Sequence, residues 1–181
     1  MIIKNDVTDA IFQRQSIREY TEKKLTPEEL ETLMLAAKKA PSARNLQPCT
    51  VRFITNKAIL DEMNADFKEL VGYDTPAYSR YQTNPVYQNA PAMAMIFSEN
   101  ASKIDAGIMV ENLAICAKGI GLDSVIILSI APLFESPYGE KWKERLDVSE
   151  NYVFDIAISI GNGDEKPPEK PRFDDRIKII E

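Results

Sequence analysis

The stretch SKIDAGIMVENLAICAKGIGLDSVIILS, residues 102–129, carries a helix and a strand in immediate succession. Ile104, Ile108, Val110, Leu113, Ala114 and Ala117 recur at helical spacing and spread over a wide face. So broad an apolar surface has to be covered on several sides, which suits a central helix or one at a subunit interface. The spacing predicts a helix over 102–118, with Ser102 as N-cap and Asp105 three residues later. Gly119-Ile120-Gly121 ends it, and residues 122–129 read as a strand, half of which could instead be an apolar loop.

Moving outward toward the N-terminus, PAMAMIFSE (91–99) reads as a buried strand and TVRFIT (50–55) as another. NKAILDEMNADFKEL (56–70) has helical spacing. The clearest helix start is TPEE at 26–29, with Thr26 as N-cap, Pro27 at the first helical position and Glu29 completing a capping box. Leu30, Leu33, Met34, Ala37 and Ala40 share a face, so a helix is expected over 27–40, stopped by Pro41. Val7, Ile11 and Phe12 mark a short amphipathic helix over 5–13. Residues 71–89 are weakly periodic and hold Tyr73, Tyr78, Tyr81 and Tyr87, readable as pocket walls or a lid, or equally as ordinary packing residues.

Toward the C-terminus, 131–150 is irregular, with a turn or two of helix expected at 140–146. YVFDIAISIG (152–161) is strand-like, Asn162-Gly163 permits a sharp turn, and RIKII (176–180) could form a last strand. This order suits one α+β domain over 1–181, a sheet between helical layers.

Bulk properties narrow the function. The 181 residues are 44% hydrophobic, enough for one real core. A net charge of −6 argues against a wide nucleic-acid surface but leaves room for a small basic pocket. The chain has no histidine, which excludes histidine-based triads and removes the commonest metal ligand. Cys49 and Cys116 have no metal or disulfide spacing and read as core fillers in a cytoplasmic protein. The apolar runs at 90–97 and 125–134 are too short to span a bilayer, and the N-terminus lacks a signal core, so a soluble protein is expected.

Three polar clusters are candidates for binding. Arg14, Ser16 and Arg18 would share a side: the two arginines on a helix, or all three on an extended strand. Lys170 and Arg172 form a second basic pair. Converging charged donors are what a phosphate needs, although each cluster alone also matches an ordinary solvated surface. In PSARNLQP (41–48), Ser42, Asn45 and Gln47 offer short polar groups on a loop stiffened by Pro41 and Pro48.

Taken together, RQSIREY, LTPEELETLMLAAKKAPSARNLQP, NAPAMAMIF, DAGIMVENLAICAKGIGLDSV and FDIAISIGNG resemble the nitroreductase family of FMN-dependent enzymes. The resemblance implies a three-layer α/β/α sandwich with a mostly antiparallel central sheet and an intertwined homodimer. It places Arg14, Ser16 and Arg18 along the FMN phosphate, ribityl chain and pyrimidine edge, with Lys170 and Arg172 on the phosphate. Pro41, Ser42 and Asn45 would reach the cofactor bound mainly to the other subunit. Leu128 or Ser129 would offer a main-chain amide to the ring, and 171–181 would cross to the partner. NADH or NADPH would reduce the flavin, and a small planar electrophile such as a nitroaromatic or quinone would then reoxidise it, in a ping-pong sequence. The alternatives are an FMN reductase of enones, halogenated aromatics or free flavin, and a flavin-binding sensor or storage protein. This sequence departs from the family pattern at Cys49, Ser129 and Asn162-Gly163.

Overall fold

The structure is a computed structural model that describes residues 2–72, 84–100 and 102–181. Its regular elements are α1 (Asp6–Gln13), α2 (Pro27–Lys39), β1 (Cys49–Ile54), α3 (Lys57–Val71), β2 (Ala92–Glu99), α4 (Lys103–Gly119), β3 (Asp123–Ile127), α5 (Ala131–Phe134), α6 (Tyr138–Arg145) and β4 (Tyr152–Gly161). The strands form one antiparallel sheet in the order β1-β2-β4-β3. Among the described residues, no helix is long and apolar enough to cross a membrane.

The sheet has two buried faces, and β2 shows why its sequence is apolar without a break. Met93, Met95 and Phe97 join one core cluster with Leu60, Phe67, Leu133 and Trp142, under α3, α5 and α6. Ala94 and Ile96 join the other with Leu33, Val110, Leu113 and Ala117, under α2 and α4. Successive strand side chains point to opposite faces, so a strand covered on both sides must be apolar at every position. This is the three-layer arrangement, and α4 is its central helix as expected.

Local signals set several boundaries. Thr26 Oγ1 accepts a hydrogen bond from the Glu29 amide at 3.2 Å, and the Glu29 carboxylate accepts one from the Thr26 amide at 2.7 Å. The capping box read from the sequence is formed. At α4 the expected cap is not: the Ser102 hydroxyl donates to the Asp105 carboxylate and caps no main-chain amide. The segment 131–150 is more ordered than its irregular sequence suggested, because α5 and α6 pack Leu133 and Trp142 into the core and the Trp142 indole donates to Asp66 at 2.9 Å. RIKII forms no strand within the chain, and Ile177, Ile179 and Ile180 are 86%, 87% and 88% exposed.

A β-bulge interrupts the β2–β4 pairing. Ile96 faces Ile156 but Phe97 faces Phe154, leaving Asp155 as the extra residue. The bulge reverses the alternation along β4: Phe154 packs on the α3 side, whereas Ile156 and Ile158 pack on the α4 side. Asp155 is buried, and neither carboxylate oxygen has a hydrogen-bond donor among the described residues. Burial raises its pKa, with Ser98 and Lys103 pulling the other way. The folded chain therefore holds this proton more tightly than the unfolded chain. That stability is complete below the ordinary aspartate range and is lost as pH rises through the raised pKa. Asp155→Asn should melt above the wild type at pH 7.5, and the gap should close as pH falls below about 4. Thermal melts across that range check this, and a gap independent of pH would contradict it.

Candidate active site

The segment after α1 decides between the two geometries left open by the sequence. Arg14 caps α1 with extended dihedrals, φ −60° and ψ 124°. The chain then runs extended along the sheet edge. Ser16 bridges to Ser124 in parallel, the Ile17 amide donates to the Ser124 carbonyl at 3.0 Å, and Tyr20 pairs with Gly163. Ile17 is buried in the opposite direction. Arg14, Ser16 and Arg18 line one cavity.

That cavity, of about 540 Å³, is completed by Lys170 and Arg172, over 150 residues away in sequence. Four cations therefore face one space, with Glu169 the single acidic group in the lining and Ile11, Phe12 and Pro167 supplying apolar wall. The connection is covalently distant but physically pinned. The Asp164 amide donates to the Glu19 carbonyl at 2.8 Å, the Thr21 amide to the Asn162 carbonyl at 2.9 Å, and the Arg18 amide to the Glu165 carboxylate. Arg14 also lies 3.8 Å from Glu111, a partly exposed pair that contributes little to stability.

Arg18 also lines an adjoining cavity of about 250 Å³ with Gln88 and Val125 through Ser129. Leu128 and Ser129 thus stand beside the basic cavity, just past the end of β3, where the chain turns into α5. The Ala131 amide donates to the Leu128 carbonyl at 2.9 Å in that turn. The sequence reading missed Gln88. Its one legible signal is weak, an Asn-Ala-Pro that follows and suggests a turn.

The Pro-Ser loop does not join this region within the chain. Pro41 and Ser42 line a separate cavity of about 300 Å³ with Met34, Cys49, Phe53 and Met109. Asn45 sits exposed on a 3-10 turn with φ 55° and belongs to none of these three cavities. The Ser42 hydroxyl accepts from the Gln47 amide at 2.9 Å, which holds the loop in shape. Burial, with Asp155 and Asp105 adding, pushes the Cys49 thiol up to about 11, so it stays protonated at neutral pH and is poorly suited to redox work. Tyr87 is a packing residue, not a lid: its ring is buried and its hydroxyl donates to Asp61. Tyr73, Tyr78 and Tyr81 lie outside the described residues.

Two glycines let the segment approach the sheet. A Cβ on Gly161 would lie 2.5 Å from Pro91 Cδ and 3.0 Å from Tyr20 Cδ1. On Gly163 it would lie 2.6 Å from Asp123 Oδ2 and 3.0 Å from Ile17 Cγ2. Asp123 cannot swing away freely, since Lys118 holds its other oxygen at 2.9 Å.

The chain matches the nitroreductase family over residues 11–162 and belongs to it. The NADPH-flavin oxidoreductase of Vibrio harveyi is 26% identical over 188 aligned positions, spanning 98% of this chain and 74% of that protein. The fold is shared with a nitroreductase with bound FMN from Desulfitobacterium hafniense DCB-2, at a TM-score of 0.91, 24% identity, and coverage of 99% of this chain and 100% of that one. A second nitroreductase with bound FMN, from Bacteroides fragilis NCTC 9343, aligns at a TM-score of 0.90 and 22% identity, covering 98% of this chain and 100% of the other.

Gly163→Ala should lower thermal stability, since forcing a methyl into a packed contact costs about 1–3 kcal/mol. Gly119→Ala, where nothing lies within 4 Å of the added carbon, should leave the melting temperature unchanged or higher. Equal melting shifts for the two variants would show that close approach at Gly163 is not what holds Ile17 and its neighbours.

Proposed function

We propose that this chain is an FMN-dependent NAD(P)H oxidoreductase acting as a homodimer on nitroaromatic, quinone or related conjugated electrophiles. One observation carries the reading. Cations from two ends of the sequence converge on one cavity, which adjoins a second cavity walled by Val125 through Leu128, in a chain otherwise acidic.

The donor set fits the cofactor's shape. Arg14, Lys170 and Arg172 would grip the phosphate by charge-assisted hydrogen bonds, and the Ser16 hydroxyl suits the ribityl chain. Arg18, shared between the two cavities, would lie toward the ring, where a fixed positive charge favours electron density on the reduced form. The turn at Leu128 and Ser129 would present main chain to the ring edge. When bound, FMN supplies hydride transfer between a reduced nicotinamide and an oxidised acceptor. The protein's part is placement and electrostatics, which agrees with a site that lacks histidine. Nicotinamide and acceptor would use the same space over the ring in turn, giving ping-pong kinetics.

Homodimer formation accounts for two otherwise unexplained features. The Pro41–Asn45 loop stands apart from the basic cavity of its own chain and would complete that of the partner. Ile104 on α4 is 81% exposed and Phe12 on α1 is 57% exposed, as are the tail isoleucines, so much apolar surface lacks cover. The tail at 171–181 would cross to the partner, where RIKII could pair with a free strand edge.

Titration of FMN into apo-protein should show affinity roughly tenfold weaker for Arg14→Ala and for Arg172→Ala, the worth of one charge-assisted hydrogen bond. Unchanged affinity in both would remove the phosphate assignment. Under anaerobic conditions NADH or NADPH should bleach the bound flavin, and a nitroaromatic or quinone should restore its colour. Tight FMN binding without bleaching would identify a binding module instead. In sedimentation equilibrium, a chain truncated after Phe173 should lose dimer at concentrations where the full chain retains it.

A further inference from the structure

We propose that Arg44 makes this chain select acceptors that carry an acidic group, by pairing with that group in the site of the partner subunit. The proposal rests on the dimer reading above and adds to it the class of substrate. That reading sets the Pro41–Asn45 loop against the cofactor of the partner subunit, and Arg44 lies between Ser42 and Asn45 in that loop.

The loop is bonded on either side of Arg44, while the guanidinium is left over. The Ala43 amide donates to the Asp105 carboxylate at 3.2 Å, the Asn45 amide to the Ser42 carbonyl at 3.0 Å, and the Leu46 amide to the Ala43 carbonyl at 3.0 Å. The Gln47 side-chain amide donates to the Asn45 carbonyl at 3.3 Å. Arg44 itself is exposed, and among the described residues its side chain has no ion pair and no hydrogen bond. Its main chain is left-handed, at φ 53° and ψ 21°, a region unfavourable for a residue with a β-carbon. The bonds around it hold that conformation, so the direction in which the side chain leaves the loop is set before any ligand arrives.

The charge around the loop is positive and uncompensated. Lys38 and Lys39, in the last turn of α2, are exposed and form no ion pair among the described residues. Lys38 lines the same cavity as Pro41 and Ser42. Asp105 is the single carboxylate in that lining, and it already accepts from the Ala43 amide and the Ser102 hydroxyl. Three cations thus stand unpaired on a chain whose net charge is −6, apart from the four that face the basic cavity. A guanidinium takes a carboxylate or sulfonate through two parallel hydrogen bonds, so it orients an acceptor as well as attracting it. On a small aromatic acceptor the acid sits directly on the reacting ring, beside the loop. In a nicotinamide dinucleotide the phosphates lie beyond a ribose, further from the reacting ring.

Stopped-flow reoxidation of photoreduced holoenzyme tests this with 4-nitrobenzoate and 4-nitrobenzamide, which differ in charge and little in size. The ratio of their second-order rate constants cancels any change common to both. In Arg44→Gln that ratio should fall about fivefold, the upper range for an exposed charge pair. Arg44→Lys should restore it in part, since the charge returns without the planar fork. Added salt should lower the ratio in the wild type and leave it flat in Arg44→Gln. If both acceptors reoxidise the flavin and the ratio is the same in all three proteins, the assignment of Arg44 falls and the oxidoreductase reading stands. Loss of dimer in Arg44→Gln with the ratio unmoved would overturn the proposal in favour of an ion pair across the interface. Slowed flavin reduction by NADPH relative to NADH, again with the ratio unmoved, would overturn it in favour of the dinucleotide. If neither acceptor reoxidises the flavin, the acceptor reading and the Arg44 assignment fall together.

Discussion

Main-chain pairing of residues 16–20 with the ends of β3 and β4 is the constraint on which the site depends. Ser16 and Ile17 engage Ser124, and Tyr20 engages Gly163. In an extended segment alternate side chains face opposite ways, so burying Ile17 turns Ser16 and Arg18 toward the cavity. The same pairing draws in the chain beyond β4, because Glu19 and Arg18 take hydrogen bonds with Asp164 and Glu165. Lys170 and Arg172 arrive at the cavity as a consequence. Gly161 and Gly163 are small because this approach leaves no space for a Cβ.

The electrostatics are local. The chain carries 28 acidic and 22 basic residues, and a uniform distribution would repel a phosphate. Folding instead gathers four cations around one concave space with a single carboxylate among them. Charges in such a cavity are less screened than on an open surface, and their donors converge. Nearby carboxylates also have work to do: Glu165 accepts from the Arg18 main chain, and Asp123 is paired with Lys118. Desolvation and the neighbouring Asp123 and Glu165 hold the Tyr20 phenol far above its ordinary range, so it remains a neutral donor to the Ile17 carbonyl at 2.7 Å.

Much of the architecture was legible because its signals are local. The Thr26 capping box, the stop at Pro41, the unbroken apolar run of β2 and the wide apolar face of α4 each follow from neighbouring residues. The clusters at 14–18 and 170–172 could be seen as basic, but nothing local distinguished them from solvated surface; the family resemblance joined them. The turn or two of helix expected at 140–146 is formed as α6, which Trp142 anchors to α3, whereas α5 and the bulge at Asp155, which shows only in the pairing of β4 with β2, had no local signal.

By itself the sequence determined the capping box of α2, the two-faced sheet and the kinds of chemistry available: cations for an anion, and no histidine for proton transfer. Periodicity and capping act within a few residues, so they survive in one dimension. Only the tertiary structure decided that residues 14–18 run extended, which contacts draw the chain's far end to the same cavity, and that the Pro41–Asn45 loop stands apart from it. Those outcomes depend on hydrogen bonds and close packing between segments far apart in the sequence, and spacing along the chain carries no record of them.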